Sequence, residues 1–197
     1  MTTAKEHSFL IEGAAIHRPL LLLETDANDW DDWNWLGLGV NPAGAPSPAE
    51  LTEVTTGEWH WVFGNGNTMA FPGAQIPHMY AEGTDIIPHA HIAATTAAAA
   101  TGTLTARFFG ILSPGNDVAP EAELVLTAAV SLPANKARYG YLITFDNVIP
   151  GLNRKISSCA TLTLSYALTT GAGIILRGFD GHYQKDRLGS RQSTSKE

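Results

Sequence analysis

Beyond Glu58 the chain places apolar side chains at every second position, run after run, with turn-forming residues between the runs. A period of two sends alternate side chains to opposite faces of an extended backbone, so each run reads as a strand with one buried face. Trp59 and Trp61 flank His60; Leu104, Ala106 and Phe108 alternate with Thr105 and Arg107; Leu124, Leu126, Ala128 and Val130 follow. Tyr139, Tyr141, Ile143 and Phe145 continue the series, then Ile156, Ser158, Ala160, Leu162, Leu164 and Tyr166. The last run sets Ile175, Arg177, Phe179 and Tyr183 against Ile174 and Leu176. Between the runs stand Gly64-Asn65-Gly66, Ser113 to Asp117, Pro133-Ala134-Asn135, Pro150-Gly151 and Gly171-Ala172-Gly173, all turn formers. No stretch carries the period of an amphipathic helix, and the Ala-rich piece Ala93 to Ala100, split by Thr95 and Thr96, reads as a loop. Roughly seven to nine strands joined by tight turns predict an all-β chain, a jelly-roll type β-sandwich.

The same pattern divides the 197 residues. Residues 1–25 form an N-terminal arm whose apolar run is Pro19 to Leu23; 26–57 an acidic loop rich in Trp and Pro; 58–185 the sandwich; and 186–197 a polar C-terminal tail. Charged residues make up only 16% of the chain. Charge is depleted at the centres of interfaces, so this composition suits a protein that works pressed against other subunits. The net charge of -7, with no basic stripe, argues against a nucleic-acid partner, which needs a face that displaces counterions from phosphates. A neutral or basic protein surface is the natural counterpart.

A single cysteine, Cys159, allows no internal disulfide; with no base signature around it, it reads as a small buried or half-buried thiol. Met1 to Gly13 lacks the basic start and apolar run of a secretory signal, and Leu20 to Leu23 is too short to span a bilayer. The expectation is a protein made and kept in a cytoplasm-like compartment, with no membrane partner.

The segment from Phe71 to Ile92 is dense in specific residues and supports two readings. In a strand, His89 and His91 share a face roughly 6–7 Å apart, within reach of one ion, with His78 arriving from a neighbouring strand. The spacing from Gly83 to His89 and His91 matches the first half of the cupin metal motif. The acid that should follow is absent, since Ala94, Thr95 and Thr96 stand there, and Pro150-Gly151 is followed by no histidine. In the other reading the three histidines are half-buried and hydrogen-bonded to backbone and to Glu82 or Asp85. Pro77 and Pro88 then mark strand ends, and Glu82 to Asp85 makes the hairpin turn between them, with Gly83 at positive φ. No metal and no cofactor is expected; His78, His89 and His91 are the ligand candidates should an ion bind.

Three blocks of this chain resemble a family of tailed-phage and prophage structural proteins. They are Trp30-Asp31-Asp32; then Ile76-Pro77-His78, Tyr80, Glu82 to Ile86, Pro88-His89 and His91; then His182-Tyr183-Gln184, Asp186 and Leu188-Gly189-Ser190-Arg191. The chain departs from the family pattern at Ile92, where an aromatic is common, and in the Ala/Thr loop that follows. The resemblance spans most of residues 30–191 and implies a virion component of the head or neck, assembled in the host cytoplasm, and no reaction. A cement or decoration protein on the capsid shell is the preferred station, and a neck or collar appendage the next.

Among the remaining residues, Asp26, Asp29, Asp31 and Asp32 offer oxygens to a calcium ion but lack the glycine and closing glutamate of an EF-hand loop. They read instead as a solvated acidic loop anchored by Trp30, Trp33 and Trp35. Trp30, Asp31, Asp32, Trp33 and Trp35 are therefore the interface candidates, aromatic side chains being favoured at contact points. His182 and Tyr183 read as a polar clamp ending a strand. Gly-x-Ser-x-Gly and phosphate-cradling glycine loops are absent, so no catalytic residue is assigned. The expected partners are the major capsid protein and further copies of this chain, as a dimer or trimer. The alternatives are a cupin-like metalloprotein and a glycan-binding appendage.

Overall fold

The computed structural model describes residues 9–11, 14–16, 30–35, 48–112, 123–152 and 158–185. Among them every regular element is a strand: β1 (Phe9–Ile11), β2 (Ala14–Ile16), β3 (Trp30–Asn34), β4 (Glu50–Thr55), β5 (Glu58–Phe63) and β6 (Asn67–Gln75). Then come β7 (Ile87–Ala94), β8 (Ala100–Leu112), β9 (Leu124–Leu132), β10 (Tyr141–Thr144), β11 (Cys159–Gly171) and β12 (Ile174–Gln184). β1 and β2 pair with each other, and the other ten make two antiparallel sheets. The larger, six-stranded sheet runs β10-β7-β12-β5-β4 with β3 also on β12; the smaller runs β6-β11-β8-β9.

The two sheets pack face to face through the alternate residues that the sequence marks as apolar. Leu104, Ala106 and Phe108 on β8, Leu126, Ala128, Val130 and Leu132 on β9, and Ala160, Leu162, Leu164 and Tyr166 on β11 meet Ala90, Ile92, Ile174, Leu176 and Phe179 from the opposite sheet. The chain is thus an all-β sandwich, as the alternation predicts. Burial of this apolar area is the main force holding the layers together.

Several expectations are corrected. Residues 26–57 are not one long loop, for β3 and β4 are strands of the larger sheet. Aspartates are depleted in strands, and those interleaved with Trp30 and Trp33 masked β3. β12 lends one edge to β7 along most of its length; its other edge takes β5 at Ile174–Leu176 and β3 at Asp180–Gln184. That pairing carries Trp33 and Trp35 into the core, where the rings lie 3.9 Å apart and Trp35 packs on Phe108 of one sheet and Phe179 of the other. Neither is free to act as an interface residue, because both are almost wholly buried.

β6 and β7 do not form a hairpin. The Glu82–Asp85 turn exists, with Gly83 at φ +86°, but it joins strands of different sheets, β6 pairing with β11 and β7 with β10 and β12. Pro88, the second residue of β7, stands at the start of that strand and is buried. Cys159 is exposed, since the alternation that turns Ala160 inward turns its neighbour outward. Of the expected N-terminal arm only β1 and β2 are described, and Pro19 to Leu23, residues 41–47 of the Pro- and Gly-rich stretch and the 186–197 tail lie outside the described residues.

Candidate functional site

β7 and β12 lie side by side within the larger sheet, in a register that sets His89 opposite Asp180, His91 opposite Gly178 and Ile87 opposite His182. On the other edge of β12, β3 sets Asn34 opposite Asp180 and Asp32 opposite His182. Ala90 and Ile92 point into the core, so His89 and His91 project from the outer face; Asp180 and His182 do the same between Phe179 and Tyr183. The irregularity between Leu176 and Gly178 adds a residue to β12 and brings the glycine, rather than a side chain, beneath His91. A Cβ built there would lie in ordinary contact with the His91 ring, at 3.8 Å.

The result is a chain of polar groups across three strands. Asp180 Oδ1 lies against His89 Nε2, and Asp180 Oδ2 is 3.4 Å from His91 Nε2. The His89 ring is 5.1 Å from that of His91 and 4.2 Å from that of His182, whose Nε2 is 3.1 Å from Asp32 Oδ1. His89 is only 3% exposed and Asp180 7%, although both sit on the outer face. Close as it is to His89, Asp180 Oδ1 receives no well-directed hydrogen bond. Burial pushes the His89 imidazolium below the ordinary histidine range; the Asp180 carboxylate opposes that, and His182 and His91 add to it. His89 is thereby biased toward the neutral ring, the form that accepts a proton or binds an ion.

The sequence pairs His89 with His91 correctly but supplies the wrong partners. His78 is exposed in the turn after β6 and is not one of the three residues whose donor atoms converge, which are His89, His91 and Asp180. Asp85 is committed elsewhere: its Oδ1 accepts the Gly151 N–H at 2.8 Å, pinning the turn to the strand bridge at Ile149. The Tyr80 phenol closes the same turn by donating to the Thr84 carbonyl, and Tyr80 N–H bonds the Pro77 carbonyl at 3.0 Å. Asp180 is the residue that sequence reasoning misses. Its one sequence signal is an aspartate two residues before His182 within a strand, a place where carboxylates are uncommon.

Asp31 and Asp32 do not converge on a calcium ion, because neighbours in a strand face opposite ways: Asp32 pairs across to His182 and Asp31 to Tyr183. The Tyr183 phenol is buried beside Asp31, and desolvation first, then the Asp31 carboxylate, push its pKa up to about 12. Lys185 Nζ stands 3.8 Å from Asp31 on the far side. Trp30 remains partly exposed at the end of β3.

Fold and site together define a class: an antiparallel two-sheet β-sandwich bearing a histidine–aspartate chain on the outer face of its larger sheet. A scan against protein-family models finds no match, and a search of curated proteins finds none either.

Proposed function

We propose that this chain is a structural subunit of a tailed-phage particle, most simply a cement or decoration protein that bridges neighbouring subunits of the capsid shell. The observation that carries the proposal is the surface. Leu51, Trp59, Tyr139, Leu142 and Leu152 are each more than half exposed, on a chain in which only 16% of residues are charged. Large apolar side chains left in water on a charge-poor surface are what a subunit interface needs before its partner arrives.

Two further points support the reading. The order β5-β12-β7-β10 in one sheet and β6-β11-β8-β9 in the other fits a jelly roll of eight strands, to which β3 and β4 are additions; viral capsid domains are among the proteins that use that architecture, an argument by analogy. Trp30, Asp31 and Asp32 stay exposed on β3, so this part of the expected contact surface is open to a neighbour, while Trp33 and Trp35 serve the core. In this role the protein does mechanical work. Apolar surface buried at joints between shell proteins raises the free energy of separating them, which matters once packaged DNA presses outward. Its partners are then the major capsid protein and other copies of itself.

The test is a pair of particles, with and without this chain. Particles lacking it release DNA at a lower temperature, and a density map of the intact particle has the chain on the shell. Equal heat resistance with density at the neck overturns the cement role in favour of a collar appendage, and absence from the particle overturns the structural reading altogether.

A further inference from the structure

The outer face of the larger sheet carries a donor set that the structural role does not use. We propose that His89, His91 and Asp180 bind a divalent first-row transition ion, Zn²⁺ foremost, on the face of the sheet between β7 and β12.

The argument begins with composition. Two imidazoles and one carboxylate are the ligand types that zinc and its neighbours prefer, whereas calcium and magnesium take oxygen alone. Geometry follows. One ligand atom from each of the three side chains lies within 4.8 Å of the others. Bonds of about 2.0–2.1 Å at tetrahedral angles require donors about 3.3 Å apart, so the separations need change by only about 1.5 Å at most. Asp180 Oδ2 and His91 Nε2 are already at 3.4 Å. His91 has room to make the adjustment, since its side chain is 49% exposed and Gly178 stands opposite it.

A second observation concerns Asp180 itself, which is 7% exposed and whose Oδ1, though it lies against His89 Nε2, accepts no well-directed hydrogen bond. A buried carboxylate in that condition is costly unless a positive charge completes its surroundings. The flanking imidazoles supply that charge only when protonated, and an ion shared by all three supplies it with both rings neutral. The exposed side of His91 leaves a coordination position for water or a fourth ligand. His182, in ring contact with His89, is itself held at 3.1 Å by Asp32 and borders the site. Carboxylate-oriented histidines of this kind surround many metal ligands. The ion would clamp β7 to β12, two adjacent strands of the larger sheet.

This site differs from the one the sequence spacing suggests. The third ligand is Asp180 on the neighbouring strand, not His78, and the site lies on the outer face of the larger sheet. The test uses the untagged full chain, stripped with a chelator and titrated at neutral pH with Co²⁺, followed by visible absorption, and with Zn²⁺ by competition. One saturable equivalent is expected, with a rise in melting temperature on loading. His91→Ala and Asp180→Asn, each checked for fold by circular dichroism, weaken binding by at least about tenfold. His78→Ala leaves it unchanged. Absence of saturable binding of either ion overturns the proposal, as does undiminished binding in folded His91→Ala or loss of binding in His78→Ala. Should Asp180→Asn fail to fold, the wild-type stoichiometry and His91→Ala still decide the matter.

Discussion

Replacing Trp35 by alanine separates a fold element from a docking arm. If the segment around β3 were a loop held for a neighbour, the change would spare the isolated protein and weaken assembly. The structure requires the opposite. Trp35 is 3% exposed and wedged between Phe108 and Phe179, residues of opposite sheets, with the Trp33 ring tilted against it at 3.9 Å. Removing roughly 200 Å² of buried indole at about 25 cal/mol per Å² forfeits about 5 kcal/mol. Core Trp→Ala changes commonly cost about 3–5 kcal/mol, so about 4 is the expectation. Domains of this kind are stable by only about 5–15 kcal/mol, so the loss is a large share of the whole. Equilibrium urea unfolding followed by far-ultraviolet circular dichroism reads it directly. With a slope of about 2 kcal/mol per molar, the midpoint falls by about 2 M. Trp59→Ala, which removes a side chain 57% exposed on the adjacent region of the same sheet, changes the midpoint by about 0.3 M or less. A Trp35→Ala shift no larger than that of Trp59→Ala would refute the placement of β3 in the core.

Two further outcomes are expected. The folded Tyr183 phenol has its pKa raised from 10.0 to about 12, so its contribution is fully present below pH 10 and is lost as pH rises toward 12; a shift of that size corresponds to about 2–3 kcal/mol. Melting temperature against pH therefore falls more steeply over that window for the wild type than for Tyr183→Phe, and parallel curves would count against the buried Tyr183–Asp31 contact. Gly171 and Gly66 both hold positive φ, at +88° and +74°, but a Cβ at Gly171 meets the Ala99 backbone whereas one at Gly66 meets nothing within 4 Å. Backbone strain costs about 1–3 kcal/mol in each case, and Gly171→Ala adds a steric clash, so chemical denaturation should rank it clearly below Gly66→Ala; equal stability would mean that the β11–β12 turn is placed wrongly.

The division between what the chain's order of residues decides and what folding decides runs along the range of the forces. Alternation is local. The inward sets on β8, β9 and β11 are readable because each residue's side of the strand follows from its neighbour's, and Phe108, Leu126 and Leu162 are buried as their parity requires; on β12 the extra residue at Arg177 breaks the alternation, so Ile174, Leu176, Phe179 and Tyr183 all face the core. The Gly83 turn is local too, and its φ of +86° is what the residue type implies. Which strands become neighbours is not local. That β6 and β7 part to different sheets, that β3 takes the free edge of β12, and that Trp33 and Trp35 enter the core depend on many weak contacts between distant segments, with no marker at any one position. The candidate site shows the same boundary. His89 and His91 announce themselves by their spacing, but Asp180 joins them only because an antiparallel register, shifted by one residue at Gly178, brings it across the sheet. Spacing along one strand is written in the sequence; distance between strands exists only once the sandwich has closed.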